Sequence, residues 1–501
     1  MRSLKHSLAE YSPLILEGIA QNLGVRVIGL SPEDAAASIA GHLLDAQELR
    51  RVLDALSPQA LDALARVQRA AYPFPWASFV RRFGPVRELG PEALRRERPW
   101  RRPQSPAEEL LYHGLIFRAL RKVHGTLIEV VYIPPELQLL LPPVDETLPL
   151  PEPVSAPESV RRTWNTFLND LVVLIAHIFN EGLQVDWEGR PLRGALAQVG
   201  QKFHVPLSPT ELLHPPPRVS LLFHHARALG HVHQEGGELR IRARSLNRWL
   251  KASPAYQRLT LWRAWVESPR WLDVCHVPSL ECVQGDWDRH PRGVRERFLS
   301  YWRSLKPDVW YPIDAWVQFM REWDPDFLRW HGHYDTWLIR RPGEEGMLRG
   351  EEHWDAVEGA LIRFYITGPL FWLDAVYLSP DGTRFALSEA GYRWLRRRSE
   401  PRPSGHPPLR VTEDFRVHLP LNAWAGDHFR VTRFTTWERS TPHYVYRISK
   451  EGLNRAHAQG IPVQKILSFL QQASHGHLPP SVEQALRRWR PEENRAGGTH
   501  S

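Results

Sequence analysis

Cysteine is almost missing from this 501-residue chain: Cys275 and Cys282 are the only two. Two thiols exclude a disulfide framework of the small secreted kind and a four-Cys zinc site, and two buried free thiols are the default expectation. Lys is scarce as well, supplying only seven of the 64 basic residues. No run of 18 apolar residues occurs, so no membrane-spanning helix is expected. The opening stretch MRSLKHSLAEYSPLILEGIAQNLG is interrupted by Glu10, Pro13 and Glu17 and has no small-residue cleavage site. It does not read as a signal peptide, and a cytoplasmic location is expected.

The motifs of nucleotide-driven chemistry are missing too. The dipeptide Gly-Lys does not occur, so no G-x-x-x-x-G-K-[ST] phosphate loop exists. No G-x-G-x-x-G follows a strand, and neither G-x-S-x-G nor H-E-x-x-H is present. The expectation is a chain with no cofactor and no enzymatic activity.

What is present describes an ordinary folded protein with a basic lean. Charged residues make up 24% and hydrophobic residues 42%, a globular composition. The net charge of +8 suits a polyanionic partner. Arg in such excess fits bidentate phosphate contacts, although GC-rich coding produces the same bias. The 21 Trp recur beside other apolar residues, as at Trp262, Trp265 and Val266, and read mostly as core.

Two stretches read as linkers. Residues 142–160, PPVDETLPLPEPVSAPESV, and residues 399–407 are Pro-rich without an apolar period, which predicts extended tethers. The tail 491–501 is polar and predicted to fray. Between these breaks one order of elements recurs. In 1–141, several N-terminal helices lead to Ser57-Pro58, to Trp76–Phe83 and to the capping box Ser105-Pro106-Ala107-Glu108, with the strand TLIEVVY after it. In 161–290, helices over about 163–181, 192–203 and 216–229 precede HVHQE and ELRIRAR, joined by Gly236-Gly237. In 291–398, helices near 294–304, 312–322 and 351–366 precede LFWLDAVYL and TRFAL. Three helices and a hairpin is the winged-helix plan, whose third helix can enter a major groove. The expected class is therefore α+β and predominantly helical, with tandem winged-helix modules followed by a small α/β domain.

Few residues carry a pattern that chemistry demands. His224, His225, His231 and His233 lie close in sequence, and His331 and His333 precede Asp335, but the common zinc spacings are not met. Asp324 and Asp326, flanking a Pro, read as turn or cap residues. The basic strand ELRIRAR is more informative. Arg240, Arg242 and Arg244 are spaced by two, which predicts one cationic strand face that tracks a phosphate backbone or merely solvates an edge. Residues 81–102 carry eight Arg against three Glu around Trp100, and read equally as a nucleic-acid contact or a solvated loop.

Residues 408–490 carry the one family signal. LRVTEDFRV, FRVTRFTTWE, HYVYRISKEGLNRAHAQG and IPVQKILSFLQQASHGHLPPSVEQAL follow one another in order. This stretch resembles the N-terminal domain of XPB-type DNA repair and transcription helicases and of the bacterial helicase-associated proteins that share it. In the helicases a motor follows this domain, whereas here residues 491–501 follow. The resemblance implies an accessory part, active in DNA engagement or partner docking without ATPase or unwinding, and it carries over no catalytic residue. Within it, Arg430, Arg433 and Arg439 flank Phe434 and Trp437, the basic-aromatic interleaving on which single strands stack, or else a half-buried strand.

These readings converge on a non-enzymatic DNA-binding accessory protein in DNA repair or transcription. The DNA, duplex or single-stranded, is expected at Arg240, Arg242, Arg244, Arg430, Arg433, Trp437 and Arg439. The competing reading is a protein-interaction scaffold that docks on a separate helicase or nuclease. No membrane partner and no metal are expected.

Overall fold

The computed structural model describes residues 2–70, 73–123, 126–144, 148–287, 289–401 and 405–491. The fold is α+β and about half helical, with 22 α-helices and several small antiparallel sheets among the described residues. None of those sheets closes into a barrel, and no described helix is long and apolar enough to cross a membrane. The chain divides into two compact units. One holds Met1–Leu150, Asp324–Trp337 and Arg349–Glu351, and the other holds Pro151–Trp323, Leu338–Leu348 and Glu352–Ser501.

The first unit grows from Ser-Pro helix starts. Ser12, Ser31, Ser57 and Ser105 each accept a hydrogen bond from a backbone N–H three residues on, with Pro as the first helical residue. The hydroxyl replaces an orphan donor's missing partner, and Pro gives up no bond there. Helix Pro58–Gln68, the short strand Phe74–Pro75, helix Trp76–Phe83, helix Pro106–Tyr112 and strands Phe117–Val123 and Thr126–Tyr132 follow in order. The last strand is central, pairing with both of the others. Its core joins Leu64, Phe79, Leu110, Ile116 and Tyr132 to the N-terminal helices through Leu8, Ile19 and Ile39.

The same order recurs twice in the second unit. Helix Thr166–Glu181, strand Leu183–Gln184, helices Arg193–Gly200 and Pro217–Ala228, and strands Val232–Glu235 and Glu238–Ile241 form one copy. Helix Pro291–Ser300, strand Trp310–Pro312, helix Ile313–Trp323, a helical stretch over 351–370 and strands Val376–Leu378 and Arg384–Leu387 form the other. In each, the last strand lies between the other two. The stretch LFWLDAVYL is strand only from Val376. Its first residues finish a helix kinked at Gly368-Pro369, where Pro removes a backbone donor.

Residues 408–490 build a four-stranded sheet in the order Arg410–Val411, Arg416–Leu419, Tyr444–Ile448, Thr435–Arg439. Helices Ala425–Phe434, Lys450–Ala458, Val463–Ala473 and Pro480–Arg488 surround it. Ser449 caps the second of these helices, and Gly460 follows it with a φ of 73°.

The sequence reading needs two corrections here. The Pro-rich stretch 142–160 is not a free tether throughout. Val154 pairs with Trp310 on one edge of the third repeat's sheet and Arg161 with Leu378 on the other, so 154–161 crosses that sheet. Residues 145–147 and 402–404 lie outside the described residues, as does the tail from 492. The two thiols are not free: Cys275 and Cys282 form a disulfide, because a 3₁₀ turn at Asp273–His276 brings their Cα atoms to 5.4 Å.

Candidate nucleic-acid interface

The helices expected to enter a groove are covered. In the first repeat Ala107, Glu108, Leu110, Leu111 and Tyr112 are buried, leaving helix Pro106–Tyr112 no open face. Glu108 is fully buried and binds Arg87 through Nε to Oε1 at 2.9 Å and Nη2 to Oε2 at 2.7 Å. In the second repeat Val219, Leu221, Leu222, Phe223, His225 and Ala226 are buried. In the third, Leu361, Ile362, Phe364 and Tyr365 are. Helices buried along most of their length, with Arg227 and Ala228 the exposed residues of the second, present few side chains to base edges.

The exposed charge lies elsewhere. Arg240, Arg242 and Arg244 do not share a strand face as their spacing predicts. The strand ends at Ile241, the N–H of Arg242 donates to the His231 carbonyl at 2.7 Å, and the chain turns into helix Ala243–Leu250. An apolar spacing of three anchors this helix: Leu246 and Trp249 are buried, and Trp249 Nε1 donates to Thr260 Oγ1 at 2.8 Å. Ser245 Oγ donates to the Leu229 carbonyl. The opposite face carries Arg244, Arg248 and Lys251, exposed at intervals of four and three, so all three project from one side.

None of Arg242, Arg244, Arg248 and Lys251 has a carboxylate within ion-pair reach among the described residues. Arg240, on the strand, pairs with Glu238 at 2.6 Å. Sequence reasoning missed Arg248 and Lys251, although the spacing Arg244, Arg248, Lys251 against Leu246, Trp249 was the available signal.

The C-terminal basic-aromatic group is mostly absorbed into packing. Arg430 and Arg433 sit on helix Ala425–Phe434, while Trp437 and Arg439 sit on the strand after it, so they do not interleave on one surface. Arg433 is half-buried, donates from Nε to Gln459 Oε1 at 3.0 Å and lies 4.9 Å over the Phe179 ring. Burial holds its guanidinium below the usual Arg range. Phe434 is buried, and half-buried Trp437 donates Nε1 to Ser440 Oγ at 2.9 Å. Arg430 is exposed, 3.5 Å from Asp427. Arg439 is exposed at the strand end.

The basic stretch 81–102 also divides. Arg81 reaches the Gly332 carbonyl at 2.7 Å and Asp326 at 2.9 Å, and Arg87 is spent on Glu108. Trp100 is buried against Gly18, where a Cβ would lie 2.6 Å from the ring, and its Nε1 donates to Gln21. It is no stacking platform. Arg95, Arg98, Arg101 and Arg102 remain exposed along the end of helix Pro91–Glu97 and the turn after it.

Metal and acid-pair candidates resolve into structure. No group of three or more His, Cys, Asp or Glu is arranged to hold a metal ion among the described residues. Buried His225 lies within 2.8 and 3.0 Å of the Leu221 and Leu261 carbonyls. Asp326 accepts from the Tyr334 hydroxyl at 2.9 Å as well as from Arg81.

A second polar cluster, unannounced by any motif, joins the second repeat to residues 408–490. Asp170, fully buried, accepts from the Tyr444 hydroxyl at 2.6 Å and the His204 N–H at 2.6 Å, and lies 2.7 Å from Arg218 Nη1. Beside it His428 contacts Asn169 Oδ1 at 3.1 Å and the Tyr446 hydroxyl at 2.8 Å. These contacts tie helix Thr166–Glu181 to strand Tyr444–Ile448 and helix Ala425–Phe434.

No family model matches the chain, and no curated protein matches it.

Proposed function

We propose that the chain is a non-enzymatic DNA-binding accessory protein of tandem winged-helix modules. Its C-terminal domain is related to the N-terminal region of XPB-type helicases, and it serves DNA repair or transcription in the cytoplasm. The observation that carries the reading is the helix Ala243–Leu250, whose Arg244, Arg248 and Lys251 form one exposed face without acidic partners among the described residues. The thrice-repeated order of one strand between two helices, then a helix and two more strands, with the last strand central, supports the modular part. With the third helix of each repeat covered, binding runs through the phosphate backbone and carries little base preference.

The test is a salt titration. Changing Arg244, Arg248 and Lys251 together to Gln removes up to three phosphate contacts. The slope of log K against log salt on duplex DNA is expected to become shallower by roughly 0.9 per lost contact. The melting midpoint is expected to stay nearly constant, since exposed charges contribute little to folding. An unchanged slope with intact folding would show that this face is only solvated.

The covered third helices favour a second reading, a scaffold that docks on a separate helicase or nuclease. In that case wild-type protein is expected to bind duplex no better than a neutral control at low salt. On either reading ATP hydrolysis is expected at the rate of a buffer blank, with or without DNA, and a DNA-stimulated activity that survives several columns would overturn both.

A further inference from the structure

Trp164 is an exposed indole of the second unit on a left-handed backbone. Its accessibility is 59%, and its backbone adopts φ 51°, followed by Asn165 at φ 62°. Two consecutive non-glycine residues in the left-handed region are held there only when their surroundings over-determine them. Asp374, itself at φ 60°, does so: its carboxylate accepts the Thr163 hydroxyl and, at 3.0 Å, the Asn165 N–H. Arg258 lies 3.5 Å from Asn165 Oδ1 and is tied to Glu400 at 2.6 Å. The packing inside thus fixes a turn whose outward product is a displayed indole.

One cation lies over that indole, and a second precedes it in the chain. The Arg162 guanidinium lies 4.4 Å from the Tyr377 ring centre and 5.6 Å from that of Trp164, and Arg161 lies 5.4 Å over Phe371. Arg161 and Arg162 are both exposed, and neither has a carboxylate within ion-pair reach among the described residues. The backbone of Arg161 is held by its pairing with Leu378. An aromatic face beside unpaired guanidinium groups on a pre-set backbone is what an unpaired base and its neighbouring phosphates require. An intact duplex keeps its interior bases stacked on one another and offers such a face only at its two ends.

We infer that Trp164, with Arg161 and Arg162, is a stacking site for single-stranded nucleic acid, separate from the helix Ala243–Leu250. This rests on the polyanion-binding reading above. One unpaired base takes the indole face away from Arg162, and the two guanidinium groups take neighbouring phosphates of the same strand.

The experiment compares a short thymidine single strand with a blunt duplex of equal length, by fluorescence anisotropy on the full chain. W164A is expected to weaken single-strand binding about five-fold or more and to leave duplex binding unchanged. W164F, which keeps a ring, is expected to retain most of the single-strand affinity and guards against a folding artefact. R161Q/R162Q is expected to weaken single-strand binding and flatten its salt dependence. Unchanged single-strand affinity in W164A, beside a wild type that binds both nucleic acids, overturns the stacking site and leaves the polyanion reading standing. Equal losses on strand and duplex in W164A also overturn it, because a stacking site discriminates between them. A wild type that binds neither at low salt overturns both readings.

Discussion

Lowering the pH from 7.5 to 5 is expected to remove much of the stability of the second unit, chiefly through its buried imidazoles. Burial pushes the imidazoles of His225 and His231 down to about 4 and that of His428 down to about 3, from an ordinary 6.5. Two carbonyls oppose the effect at His225 without cancelling it. All three rings are essentially inaccessible. Around His428 lie Asn169, the Tyr446 hydroxyl and the Tyr444 ring at 4.7 Å, none of them charged, and the nearby Asp170 carboxylate is already paired with Arg218. The unfolded chain takes up protons through pH 6.5 that the folded chain refuses until far lower. Stability is therefore complete above pH 6.5 and is lost as the pH falls toward the folded values.

At pH 5 each ring accounts for about 2 kcal/mol, or about 6 for the three. Against a native margin of about 5–15 kcal/mol that is a large fraction. Urea midpoints measured at pH 7.5, 6 and 5 should fall steeply over the last interval, and H428Q should soften the fall. A midpoint that stays flat down to pH 5 would mean that these rings are protonated in the fold or reached by water.

Removing the carboxylate of Asp170 is expected to be the most damaging single truncation. D170A leaves Arg218 without its counter-charge and the Tyr444 hydroxyl and His204 N–H without their acceptor. Breaking one side of a buried pair costs about 3–5 kcal/mol, far more than losing an exposed one. The same geometry predicts that residues 408–490, expressed alone, do not unfold cooperatively. Their buried Tyr444, Tyr446 and His428 lose Asp170 and Asn169, and the Phe179–Phe429 edge contact at 5.4 Å is lost with them. A D170A midpoint within about 1 kcal/mol of wild type, or a sharp transition for the isolated segment, would show that the cluster is not what joins these parts. A cycle of D170N with Y444F separates the hydrogen bond from the charge.

Local chemistry was legible where a few adjacent residues decide the outcome. Ser31-Pro32, Ser57-Pro58 and Ser105-Pro106 announce helix starts, and all three begin helices. The same dipeptide at Ser379-Pro380 opens a turn instead, because Asp381 accepts from Thr383 and the chain must reverse between two paired strands. Gly236-Gly237 joins Val232–Glu235 to Glu238–Ile241 where the hairpin was expected. Alternating charge misled at ELRIRAR. A period of two continues through Arg244, but Leu246 and Trp249 start a period of three to four two residues later, and burial of Trp249 outweighs the strand pattern.

The sequence alone determined the α+β class, the two hairpins of the second unit, the Ser-Pro helix starts and the want of any phosphate loop, but not the short strand that opens each repeat's sheet or the partner strand Phe117–Val123. These depend on neighbours within a turn or two, whose steric and hydrogen-bonding preferences act before distant chain arrives. Only the tertiary structure decided which arginines face outward. Arg87 and Arg433 are indistinguishable in the text from Arg244 and Arg248, yet the first two meet Glu108 and Phe179, from other elements, and the others meet none. It also closed Cys275 on Cys282, covered the third helices and set Asp170 against Tyr444, 274 residues away. Burial, pairing and exposure are properties of approach between distant segments, and one-dimensional spacing does not encode that approach.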